Sequence, residues 1–191
     1  MPVRWTFPPS ALASADGATA STVVAAPGVD ITPAPVATIP PIWEAGMRIR
    51  IHAHGWVTTT STTPTLGFEF RLAKPATAIA SGTTLFGATA LTAMVVATNA
   101  QWLIDYWGHC TAVSTPASAT AGQISGRGRY LPAATLTTYA ADQPVPITHA
   151  ARLSAGFDTT SQQNLLLGAI LSSTTGTPNV VCEELTVELI G

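Results

Sequence analysis

The chain has 191 residues, 47% of them hydrophobic and only 9% charged, with eight Lys and Arg against ten Asp and Glu and a formal net charge of −2. Charged residues usually make up about a quarter of a globular chain, and with no basic surplus to neutralise phosphates this balance excludes a nucleic-acid-binding protein. Residues 75–104, 106–126 and 159–182 carry no charge at all, so copies of the chain or a larger assembly are expected to cover much of the surface.

Residues 1–38 read as an extended Pro/Ala/Thr-rich N-terminal arm. Pro8, Pro9, Pro27, Pro33 and Pro35 exclude a continuous helix and any central strand, and an arm of this kind becomes ordered by lying on a neighbour. Arg4, Trp5 and Phe7 are its expected contact residues, since two large aromatics serve little purpose in a free tail. Pro8 and Pro9 break the apolar run that a signal peptide needs. One short edge strand is expected within residues 22–31.

Residues 39–191 form one domain of ordinary single-core size. Residues 47–57 alternate strictly, with Met47, Ile49, Ile51 and Ala53 toward a core and Arg48, Arg50, His52 and His54 away from it, which fits a half-buried strand. The period returns at Leu66, Phe68, Phe70 and Leu72 after a polar 58–65 stretch, predicting a hairpin with a long loop. Residues 85–104 are uncharged and long enough to cross a bilayer. Thr89, Thr92, Thr98, Asn99 and Gln101 make them a poor insertion segment, and no membrane association is expected.

Residues 102–110 carry large apolar groups on both faces, which predicts a strand covered on both sides. Residues 123–131 alternate around Gly122, Gly126 and Gly128, and further strands are expected over 148–157, 164–171 and 180–190. In the last of these Val181, Glu183, Leu185, Val187 and Leu189 oppose Cys182, Glu184, Thr186 and Glu188. About eight strands and no necessary helix predict an all-β fold, an antiparallel β-sandwich of jelly-roll type.

No catalytic signature accompanies these strands, and neither an enzyme nor a cofactor is expected. The run from Gly122 to Gly128 lacks the Lys-Ser/Thr ending of a phosphate loop, and Ser125 fails the spacing of a nucleophile elbow. His52 and His54 share one strand face but are too few to hold a metal alone, with His109 and His149 unplaced. Arg48 with Arg50, and Arg127 with Arg129, each line one strand face and suit a solvated or inter-subunit surface. Cys110 and Cys182 read as buried free thiols of a protein made in a reducing cytoplasm. Trp56, Trp107, Tyr130 and Tyr139 could stack on sugar rings, although aromatic residues in strands more often fill the core.

The run from Ile39 through Pro41 and Trp43 to the alternating strand ending near Gly55 resembles a group of small bacteriophage and prophage virion proteins, as do Thr63 to Leu72, Gly156 to Thr160 with Asn164, and Val187 to Gly191. The resemblance covers most of residues 39–191 and rests on structural rather than chemical motifs. It implies a jelly-roll subunit, commonly trimeric, on the outside of a tailed-phage particle. The expectation is a homotrimeric capsid decoration protein that binds the major capsid protein on the outer capsid surface of the virion and reinforces the head. The alternative is a head or tail fibre component that binds host-surface glycan.

Overall fold

The computed structural model describes residues 3–7, 10–12, 23–24, 37–59, 65–74, 83–86, 92–93, 97–131, 143–145, 154, 156–171 and 179–191. Every regular element among them is a strand: β1 (Val3–Phe7), β2 (Ser10–Leu12), β3 (Val23–Val24), β4 (Ala37–Ile39), β5 (Arg48–Thr59), β6 (Thr65–Ala73), β7 (Thr83–Phe86), β8 (Thr92–Ala93), β9 (Ala97–Ala112), β10 (Gln123–Leu131), β11 (Gln143–Val145), β12 (Gln163–Leu171) and β13 (Asn179–Ile190). The fold is all-β.

The strands form two antiparallel sheets. The larger runs β1-β13-β5-β9-β10-β11, with β2 also on β13; the smaller runs β3-β12-β6-β7, with β4 on β12 and β8 on β6. Their apolar faces share one core, in which Phe68 of the smaller sheet lies 4.3 Å from Trp102 and 5.5 Å from Tyr130 of the larger. Ile49, Ile51, Ala53 and Val57 on β5 face it together with Ile104, Tyr106 and Cys110 on β9. Ile49, Ile51 and Ala53 are inward positions that the alternation assigned, and Met47 packs partly buried against the same cluster.

Three local expectations are corrected. β5 and β6 do not form a hairpin: β5 pairs β13 and β9, β6 pairs β12, and the polar connection passes from one sheet to the other. Two half-buried strands satisfy the same alternation facing each other across a core as lying side by side, so the period could not distinguish the two. The hairpin instead joins β9 to β10, which pair from Leu103 with Leu131 to Ala112 with Gln123. Second, β9 is covered on one side only, since Trp107 and His109 on its other face are exposed. Third, the single phase assigned to the last strand fails at a bulge between Cys182 and Glu184. Cys182 is buried before it and Leu185, Val187 and Leu189 after it, so the extra residue keeps both Glu183 and Glu184 out of the core.

The described parts of residues 1–38 lie on this chain's own sheets. β1 and β2 pair with β13, β3 and β4 with β12, and β4 runs across the expected boundary at residue 38. Most of the strand expected over 148–157 and most of the 22–31 segment lie outside the described residues, as does Tyr139.

Between β11 and β12, Gly156 to Thr160 builds a hydrogen-bonded corner. Phe157 bridges to Gly122 and packs edge-on to Trp43 with ring centroids 5.2 Å apart. The Asp158 carboxylate accepts from Thr160 N and Oγ1, Ser161 Oγ and Lys74 Nζ at 2.6–2.9 Å. The Lys74 ammonium, followed by the two hydroxyls, holds this carboxyl well below the usual range. Gly156 to Thr160, noted above for its resemblance, thus serves the architecture.

Candidate functional site

The outward residues of four adjacent strands in the larger sheet form a grid, because residues in register across an antiparallel pair share a face. Reading from β13 through β5 and β9 to β10, its rows are Ile190, Arg48, His109, Ser125; then Glu188, Arg50, Trp107, Arg127; then Thr186, His52, Asp105, Arg129; then Glu184, His54, Leu103, Leu131. Arg4 of β1 stands in register with Glu188, and Thr6 with Thr186. With Arg4, five of the chain's eight Lys and Arg stand on this face. The two basic pairs and the two histidines of one sequence period come together here.

The third row is a closed network. Asp105 is almost fully buried, with one carboxylate oxygen 2.6 Å from His52 Nδ1 and the other accepting from Arg129 Nε and a terminal Arg129 nitrogen at 3.0 Å. Burial pushes the Asp105 carboxyl up, but the His52 and Arg129 hydrogen bonds outweigh it and hold the group below its ordinary value. In the fourth row His54 lies 3.4 Å from Glu184 and 3.7 Å from Glu183, the extra residue of the bulge. The Thr186 hydroxyl, donating to Glu184 at 2.9 Å, and then His54 hold Glu184 low despite partial burial. His52 and His54 are thus each engaged by a carboxylate, their rings 5.7 Å apart, and no group of three or more His, Cys, Asp and Glu among the described residues could hold a metal ion.

The first two rows are open. Trp107 is 44% exposed, with the Arg50 guanidinium 5.9 Å from its ring centroid and Arg50 also 3.7 Å from Glu188. Beside it a hollow of about 840 Å³ is lined by Gly46, Arg48, Trp107, His109, Ser125 and Arg127. Gly46, with φ at +90°, turns the chain into β5, and its N–H donates to Cys110 O at 2.8 Å, which sets the rim against the end of β9. Comparison with known proteins gave no matching family model and no matching curated protein.

The sequence-expected site residues separate. Arg4, Trp5 and Phe7 lie on β1, in register with Glu188, Val187 and Leu185, at an edge of the larger sheet. Of the four possible sugar-stacking aromatics, Trp107 is exposed and Trp56 half-buried, whereas Tyr130 is fully buried against Phe68 and belongs to the core. Cys110 and Cys182 are buried free thiols, with burial pushing Cys182 up to about 12. Sequence reasoning did not join Arg48, Trp107, His109 and Arg127 into one site. Their i, i+2 spacing gave the face of each strand, but not the adjacency of β5, β9 and β10.

Proposed function

We propose that this chain is a virion structural protein without catalytic activity, a trimeric decoration subunit that binds the outer face of a tailed-phage head and reinforces it. The observation that carries the reading is the larger sheet, with a charged outward face and, at β1, an edge with no further strand among the described residues. Such an edge is a template for pairing with another chain, and it carries Arg4, Trp5 and Phe7, the residues expected to touch a neighbour. Repeated switching between sheets supports a jelly-roll-type sandwich, since the chain crosses from β5 to β6, from β8 to β9, from β11 to β12 and back to β13.

Two measurements test this. Sedimentation at micromolar concentration should give a trimer, and a stable monomer overturns that half. Quantifying the protein in purified particles should give hundreds of copies per head; a handful at the tail removes the decoration reading. A second reading is favoured by exposed Trp107 among arginines: a fibre component that recognises host-surface glycan, as aromatic and charged groups around a hollow commonly do.

A further inference from the structure

We infer that the hollow beside Trp107 binds an acidic saccharide, one bearing carboxylate or sulfate groups. Arg48 and Arg127 line it, and neither has a carboxylate within 4.0 Å among the described residues, although Arg50 and Arg129 on the same strands are both paired. The acidic residues of the grid, Glu184, Glu188 and Asp105, lie outside this lining and are engaged by His54, Arg50, His52 and Arg129. In a chain with a net charge of −2, two unpaired guanidiniums and His109 around one hollow select an anion.

The geometry favours a sugar as the carrier of that anion. Arg48 and Arg127 stand two strands and two residues apart, a span of roughly 12 Å from the ordinary strand spacing and rise. A linked pair of pyranose rings can cross such a distance with an acidic group near each end. Between them the Trp107 ring offers an apolar face for the C–H side of a ring, and Ser125 a hydroxyl for its oxygens. Arg50, which pairs with Glu188, lies over the Trp107 ring on the same face. A polynucleotide would need several phosphates neutralised along a track, and the row beyond Arg127 instead places Asp105 between His52 and Arg129.

The inference rests on the recognition reading in requiring a glycan ligand, and it is tested on the isolated full-length chain. Calorimetric titration and tryptophan fluorescence should show saturable binding of a galacturonate oligomer, a heparin hexasaccharide, or both, the two arms separating carboxylate from sulfate. Maltohexaose and a dT oligonucleotide should bind at least roughly ten-fold more weakly, a difference of about 1.4 kcal/mol. Arg48→Ala, Arg127→Ala and Trp107→Ala should each weaken the acidic ligand by a similar factor while melting as the parent does, since all three side chains are exposed. No saturable binding, equal binding of maltohexaose or of dT, or indifference to the three substitutions overturns the site. If that happens while particles lacking the protein fail to adsorb to cells, recognition stands and this site alone is lost.

Discussion

At the scale of single residues, carboxylates held low in the folded chain, among them the buried Asp105 and Asp158 and the partly buried Glu184, set the acid limit of stability. Asp105 and Asp158 are both held below their ordinary value in the folded chain, and a depressed carboxyl contributes stability above the unfolded value of about 3.9 that is lost as pH falls through the folded one. The urea midpoint should therefore be level near neutrality and decline from about pH 4 downward. Asp105→Asn with Asp158→Asn should lower the neutral plateau and flatten the acid decline; an unchanged decline would assign it to other groups. Packing makes a second demand at Gly126, where a Cβ would overlap the Tyr106 phenol. Gly126→Ala should cost about 1–3 kcal/mol or more in urea unfolding, the penalty of overpacking, and Tyr106→Phe should recover little of it, because the Tyr106 ring carbon and the Trp107 carbonyl oxygen still crowd the added methyl.

At the scale of elements, the bulge in β13 makes a prediction that reverses the usual expectation for deletions. Removing Glu183 leaves Cys182 inward, Glu184 outward and Leu185 inward in strict alternation, so the variant should still melt cooperatively. Removing Thr186 turns Val187 and Leu189 outward and should abolish cooperative melting, even though it deletes the same number of residues. The bulge also marks a limit of sequence legibility. Inward faces were readable where one face is apolar, as at Ile49, Ile51 and Ala53 of β5 and Phe68, Phe70 and Leu72 of β6. In β13 the alternation continued on paper through Glu183, and only the cost of burying a carboxylate reveals where the phase changes. Pairing was less legible still: β5 and β6 follow each other in sequence yet belong to different sheets, because periodicity reports which face is apolar and not which strand is adjacent. The hollow needed two such adjacencies at once, β5 with β9 and β9 with β10, so its parts were visible singly as basic pairs and an aromatic.

At the scale of the whole molecule, a protein that binds only the closed head lattice shifts the equilibrium toward it by mass action. If the proposed decoration role holds, particles stripped of this chain should therefore release DNA at a lower temperature than complete ones, and adding the protein back should restore the midpoint. Trp5→Ala should restore it only in part, and identical melting of complete and stripped heads would leave attachment without reinforcement. The placement of β13 between β1 and β5 has a consequence of another kind. The partner that β5 needs on one side is synthesised more than a hundred residues after it, and β6 likewise waits for β12. Loop closure over such separations slows folding to roughly milliseconds or seconds, and synthesis proceeds at only about 5–20 residues per second. Nascent chains thus carry the bare side of β5 for several seconds, and ribosome-bound chains stalled before residue 179 should be held by chaperones or aggregate, whereas chains in which β13 has emerged and can pair should become protease-resistant in a single step.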